Sequence, residues 1–225
     1  MPAGLTPAAL GLLCLAAIGA IADWAVVAAR ERGRPALPAR ARWLTKPLPL
    51  VLLIGVALVL EPRDPAVRAW FVAALALSLA GDVALLSERG FVPGLVAFLL
   101  AHVAYAVGFV VGGIALPAVA AGVAGMLAFD LVVGRRLVGA LRASGRGSLE
   151  GPVVAYIAAI SVMVAAAVGS LLAAAIVGAV LFTASDMLLA EGRFVRPVRR
   201  GDLAVMVLYH AGQGLLVLSL AIGAR

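Results

Sequence analysis

The chain is a succession of apolar runs, separated mostly by short arginine-bearing loops. A helix needs roughly 20 apolar residues to cross the hydrocarbon of a bilayer, and about eight runs here meet that length. Their predicted limits are 7–29, 43–61, 66–87, 91–112, 114–134, 152–169, 171–190 and 203–223. Nothing is left over for a soluble domain, so residues 1–225 read as a single integral membrane domain. The runs are continuous rather than alternating, which favours helices over a membrane β-barrel. A composition of 64% hydrophobic and 13% charged residues, with a mean hydropathy of +1.14, fits no soluble domain of this length. The predicted fold class is therefore all-α, a polytopic membrane bundle of about eight helices. No positively charged segment precedes the first run, which reads as a retained span and not a cleaved signal. The one cysteine, Cys14, excludes an intramolecular disulfide and reads as a structural thiol. With only His102 and His210 available, a Cys/His metal cluster is not expected, nor is any other cofactor.

A net charge of +7 does not point to nucleic acid, because the charges sit in the loops. Arg30, Arg32, Arg34, Arg40, Arg42 and Lys46 fill the first loop. Arg89 is in the third, Arg135, Arg136, Arg142 and Arg146 in the fifth, and Arg193, Arg196, Arg199 and Arg200 in the seventh. The even loops and the C-terminus hold only Arg63, Arg68 and Arg225. Basic residues mark cytoplasmic loops, so the odd loops are predicted inside and both termini outside. The Ala/Arg-rich, Lys-poor composition suggests a bacterial chain, placed in the cytoplasmic membrane.

Every glutamate falls in a loop or at a span end, and so do Asp64 and Asp202. Asp23, Asp82, Asp130 and Asp186 do not. They occupy the later halves of spans one, three, five and seven, which all run from outside to inside. A charge at mid-bilayer costs about 2.5–3.5 kcal/mol on insertion scales, so such residues normally face a bundle interior or a wet cavity. Lys46 opens span two on the same side. Tyr209, His210 and Gln213 open span eight there, and His102 and Tyr105 are near the middle of span four. The convergence predicts one polar cavity open to the cytoplasm. The plainer readings are an interfacial acid beside Trp24 for Asp23, a helix-end charge before Arg135 for Asp130, and interhelical hydrogen bonds for His102, Tyr105 and Gln213.

Two of the acids lie in lines that look alike, "SLAGDVALLSERGF" at 78–91 and "FTASDMLLAEGRF" at 182–194. Each is followed by a span carrying a histidine, in "AHVAY" and "YHAGQ". Spans three–four and seven–eight thus read as related parallel hairpins, which hints at a duplicated four-helix unit. Gly81 and Ser185 precede the acids, and small residues let helices approach closely. Close approach of spans three and seven would set Asp82 and Asp186 across one cavity. Two carboxylates in a low-dielectric site do not both ionise readily, so they would form an acid/base pair.

The same residues carry a family resemblance. The chain resembles the YhhN/TMEM86 family of multi-span membrane proteins in Lys46-Pro47, in "SLAGD" with Asp82, and in "FVPGLVAFLLAHVAYAVGF" with Phe91, Gly94, Phe98, His102 and Tyr105. The match continues through "GAVLFTASDMLLAEGRF" with Asp186 and "LYHAGQ" with Tyr209 and Gln213. It covers nearly the whole chain, although spans one, five and six carry little of it and His210 has no residue-by-residue match. The family's characterised members are lysoplasmalogenases. The resemblance implies hydrolysis of the vinyl ether of a lysophospholipid, a lysoplasmalogen, to a fatty aldehyde and glycerophosphoethanolamine or -choline. Breaking a vinyl ether needs a protonated acid, a negative charge for the oxocarbenium ion and a base for water. Two carboxylates supply these, as in glycoside hydrolysis. Asp82 and Asp186 are the expected catalytic residues, with the direction of proton transfer open. Lys46 suits the substrate phosphate, and His102, Tyr105, Tyr209 and Gln213 suit its glycerol and the water.

Other readings compete. Intramembrane acids and repeats also occur in proton-coupled transporters, although parallel repeats and uninterrupted spans favour them less. An intramembrane aspartyl protease needs two aspartates but further hallmarks as well. A zinc-dependent lipid hydrolase needs more histidines.

Overall fold

In a computed structural model, which describes residues 5–34, 37–62 and 64–222, eight helices are long and apolar enough to cross a membrane. They are α1 (Pro7–Glu31), α2 (Arg42–Val59), α3 (Pro65–Ala84), α4 (Glu88–Val111), α5 (Leu116–Ala143), α6 (Gly147–Gly169), α7 (Ala173–Val195) and α8 (Gly201–Ile222). Arg63 and Arg225, used above for topology, and the last residue predicted for span eight lie outside the described residues. The helix starts are written locally. Thr6 caps α1 by accepting from the Ala9 N–H at 3.1 Å, with Pro7 next. Asp64 caps α3 by accepting from the Ala66 N–H at 2.7 Å, with Pro65 next. Both follow the preference for an oxygen acceptor and then a proline where free N–H groups cluster.

Large apolar side chains point outward along the bundle, among them Ile18, Ile21, Leu58, Val96, Leu127, Val162 and Val180. A helix that is apolar on both its inner and outer faces is a helix solvated by lipid. Cys14 also faces outward, which corrects its expected structural role.

The closest neighbours are α3 with α4 and α7 with α8, the two hairpins read as a repeat. Within each half α1 also packs on α2 and α5 on α6, and further contacts cross between the halves. Helix α4 packs on α6, and α8 packs on α2. Helices α3 and α7 are not packing partners, contrary to the approach expected from Gly81 and Ser185. Those small residues serve other contacts. A methyl group on Gly81 would run into the Phe98 ring of α4, and Ser185 Oγ donates to the Val205 carbonyl of α8 at 3.1 Å.

Two further expectations are corrected. The fifth span does not stop near residue 134. A wide π-type turn at Asp130–Gly134 carries it into Arg135–Ala143, where Leu137 and Leu141 bury against Val153 and Ile157. Arg135, Arg136 and Arg142 are therefore helical, not loop residues. The amphipathic spacing of Leu137 and Leu141 explains the extension. In α8, Tyr209, His210 and Gln213 lie two to three turns inside the helix rather than at its start.

The odd loops meet at one end of the bundle. Leu203 N–H donates to Glu31 across loops one and seven, Arg146 reaches the Arg193 carbonyl across loops five and seven, and Phe91 packs on Phe194 across loops three and seven. At the opposite end, Ala115 N–H donates to the Gly169 carbonyl at 2.8 Å.

Candidate active site

Lys46, the only lysine in the chain, is placed by two prolines. Pro47 and Pro49 lack N–H groups, so the carbonyls of Trp43 and Thr45 lose their helical partners and α2 breaks into Arg42–Thr45 and Leu48–Val59. At the break Lys46 turns inward and is buried. Its Nζ lies 3.2 Å from Asp82 Oδ1 and donates to the Asp82 carbonyl at 3.2 Å. Tyr209 of α8 donates its hydroxyl to Asp82 Oδ2 at 2.8 Å. Asp82 thus sits in a closed bay of α2, α3 and α8, with its charge matched.

Asp186 occupies the related bay of α4, α6 and α7. Tyr156 of α6 donates its hydroxyl to Asp186 Oδ2 at 2.6 Å. His102 of α4 brings Nε2 to 3.3 Å from the same oxygen, outside hydrogen-bond geometry. His102 Nδ1 lies 2.6 Å from the Phe98 carbonyl, which can only accept. The proton of the neutral ring therefore belongs on Nδ1, and Nε2 presents a lone pair beside Asp186. Among the described residues Asp186 Oδ1 has no hydrogen-bond partner, and Asp186 lines a cleft with a volume of about 40 Å³. Its other walls include Phe91, Leu95, Tyr156, Met187, Arg193 and Phe194.

An aromatic layer stands between the bays. Phe182 stacks on His102 with ring centroids 4.4 Å apart and packs against Tyr209 at 5.5 Å, while Phe98 meets both Phe182 and Tyr209 edge-on. The single polar cavity expected from the sequence is instead two bays with this layer between them. Behind it, Tyr105 donates to Gln213 Oε1 at 2.5 Å, and Gln213 Nε2 donates to Ser78 Oγ at 3.3 Å. Tyr105 and Gln213 are fully buried in this internal chain, away from the cleft.

The remaining polar candidates have structural partners. Asp23 accepts from Thr45 at 2.7 Å and from Arg42 at 3.3 Å, holding α1 to the first turn of α2. His210 Nδ1 accepts from Trp24 Nε1 at 3.0 Å and joins α8 to α1. Asp130 accepts from Ser161 at 2.7 Å and borders an open groove between α5 and α6. Among the described residues no three His, Cys, Asp or Glu side chains converge on a metal position.

Sequence reading missed Tyr156. Its signal was a lone tyrosine in the apolar line "GPVVAYIAAISV", a span that the family resemblance barely touched. A phenol inside a membrane helix usually has a hydrogen-bond partner across the bundle.

The model of the YhhN family matches residues 41–220. The chain is 32% identical over 179 residues to the protein named Lysoplasmalogenase TMEM86B of Homo sapiens, a match covering 78% of this chain and 74% of that one. It is 36% identical over 152 residues to the protein named Lysoplasmalogenase of Mycobacterium bovis (strain ATCC BAA-935 / AF2122/97), covering 65% of this chain and 58% of that relative. The same figures hold for the protein of that name from Mycobacterium tuberculosis (strain CDC 1551 / Oshkosh). No solved structure matches the chain.

Proposed function

Since the chain belongs to the YhhN family, we propose that it is a lysoplasmalogenase-type hydrolase, cleaving the vinyl ether of a lysophospholipid to a fatty aldehyde and a glycerophospho-alcohol. The observation that carries this reading is the asymmetry of the two carboxylates. Asp82 is ion-paired with Lys46 and closed off, whereas Asp186 lines an apolar cleft, keeps Oδ1 without a hydrogen-bond partner among the described residues, and has His102 Nε2 3.3 Å from its other oxygen. Where two buried carboxylates share a region, a cation beside one decides which is ionised. Asp82 is the anion and Asp186 the proton carrier.

The steps then balance. Asp186 Oδ1 gives its proton to the alkene carbon that is not bonded to oxygen, and the carbon that bears the ether oxygen becomes an oxocarbenium ion facing the new carboxylate. Water adds to that carbon while His102 Nε2 takes its proton. His102 returns the proton to the ether oxygen as the carbon–oxygen bond breaks. The hemiacetal hydroxyl proton goes back to Asp186, leaving aldehyde, alcohol and the starting protonation. Tyr156 orients the carboxyl through Oδ2 and leaves Oδ1 for the substrate. Asp82 acts from behind Phe182 and Tyr209 as a positioning residue, and Tyr105 and Gln213 brace the same layer. This narrows the two-aspartate pair to one proton donor and one fixed anion. It also removes Lys46 from the phosphate, because its charge is spent on Asp82.

The test is incubation of purified protein with alkenyl-, alkyl- and acyl-lysophospholipids, reading aldehyde release. Aldehyde from the alkenyl compound alone is expected. Cleavage of the acyl compound alone would move the reading to a lysophospholipase, and no turnover of any would reject it.

A further inference from the structure

We propose that Arg193, at the mouth of the Asp186 cleft, is the ligand for the phosphate of the lysophospholipid and thereby sets the depth at which the vinyl ether rests. The inference deepens the hydrolase reading above and rests on it.

With Lys46 committed to Asp82, the phosphate needs another cation near the cleft. Several arginines at this end of the bundle are already engaged. Arg136 and Arg196 share Glu191, at 2.6 and 3.0 Å, and Arg142 is paired with Glu150. Arg193 is different. It lines the cleft, is exposed, and has no carboxylate partner among the described residues. Its guanidinium lies 4.6 Å from the centre of the Phe91 ring, and Phe91 packs edge-on against Phe194. Stacking of this kind holds the planar fork in place while leaving its N–H edge free for a bidentate contact with phosphate oxygens. Arg146 steadies the backbone by donating to the Arg193 carbonyl at 3.2 Å.

The spacing fits the ligand. Arg193 follows Asp186 by seven residues on the same helical segment, a rise of about 10 Å, or two turns. In a lysophospholipid about five bonds, roughly 6 Å when extended, separate the vinyl ether oxygen from phosphorus. The arginine side chain and the phosphate oxygens span the remainder. A phosphate on Arg193 therefore places the vinyl ether at Asp186, with Phe91, Leu95 and Met187 against its apolar part.

The experiment compares Arg193→Gln, Arg193→Lys and wild type, with Arg199→Gln as an exposed control. Binding of a non-hydrolysable 1-alkyl lysophospholipid is measured beside binding of the matching 1-alkyl glycerol, which lacks phosphate. Arg193→Gln is expected to weaken the phospholipid about 10-fold or more, with no change for the alkyl glycerol. Arg193→Lys should recover part of the loss, and Arg199→Gln should match wild type. On the alkenyl substrate the same change should appear as a fall in kcat/KM of similar size, carried mainly by a rise in KM. Wild-type binding by Arg193→Gln, or an equal loss for both ligands, overturns the proposal. If the binding difference appears but wild type releases no aldehyde, the hydrolase reading falls and the phosphate site stands. If aldehyde forms but Arg193→Gln binds normally, the phosphate site falls alone.

Discussion

The chemistry proposed for Asp186 calls on three side chains from three helices, and mutation can separate their parts. Asp186→Asn keeps the shape and the Tyr156 contact but removes the transferable proton, so aldehyde release is expected to vanish while the melting temperature holds. Activity close to wild type in this variant would remove Asp186 from the mechanism. Tyr156→Phe deletes only the hydroxyl that donates to Asp186 Oδ2. A hydrogen bond to a charged group contributes about 1.5–3 kcal/mol, so kcat should fall roughly 10- to 100-fold. Single-turnover aldehyde release with saturating substrate measures this, and an unchanged rate would leave Tyr156 a purely structural residue. Lys46 calls for a different measurement, because Lys46→Met strands the Asp82 carboxylate in the core. Breaking a buried pair from one side costs about 3–5 kcal/mol, whereas replacing both partners is often neutral. Lys46→Met should therefore melt well below wild type in detergent, and Lys46→Met with Asp82→Leu should recover most of the loss. Failure of the double variant to recover would mean that Lys46 supports the fold through something other than Asp82.

At the scale of helices, two glycines allow a close crossing of α7 and α8. Gly178 of α7 and Gly212 of α8 face each other, and a methyl group on either would lie 2.9 Å from the other's carbonyl oxygen. Overpacking such a contact typically costs about 1–3 kcal/mol, so Gly212→Val should lower the melting temperature more than a valine at Gly214, which has open space beside it. Equal melting of the two variants would show that the crossing tolerates separation. Gly108 occupies the same register in the first half, since Asp82 to Gly108 and Asp186 to Gly212 are equal steps along the chain, and Gly108 also meets a neighbour's ring. The helices, the hairpins and the odd-loop face were legible because apolar length, arginine bias and the repeated acid line are linear patterns. Tyr156, the pairing of Lys46 with Asp82 and the separation of α3 from α7 were not, because pairing between helices is decided in three dimensions. A bilayer gives each apolar helix no strong preference for which face turns inward, so sequence periodicity says little about partners. The extension of α5 was hidden because Arg135, Arg136 and Arg142 signal a loop by charge, while Leu137 and Leu141 signal a helix by spacing.

For the whole molecule, the two halves complete each other. The Asp82 bay, begun by α2 and α3, is closed by Tyr209 from the second half. The Asp186 bay, begun by α6 and α7, is closed by His102 from the first half. Both carboxylates lie nearer the end where the odd loops meet, so under the proposed function the orientation of the bundle would fix the leaflet from which substrate is drawn. That end carries most of the arginines, and the positive-inside rule predicts it to be cytoplasmic. The orientation is testable with single cysteines in a Cys14→Ser background, one at Ser144 beside the α5–α6 loop and one at Gly113 between α4 and α5. In intact bacterial spheroplasts a membrane-impermeant maleimide should label the Gly113→Cys protein at once. The Ser144→Cys protein should react only after permeabilisation. The reverse pattern would turn the bundle over and place Arg193 and its cleft on the outer leaflet, so that lysophospholipid reaching the enzyme would come from outside the cell. With the predicted orientation and the proposed Arg193 contact, the phosphate would rest at the cytoplasmic surface and the vinyl ether about two helical turns deeper, at the carboxylate that Lys46 does not pair.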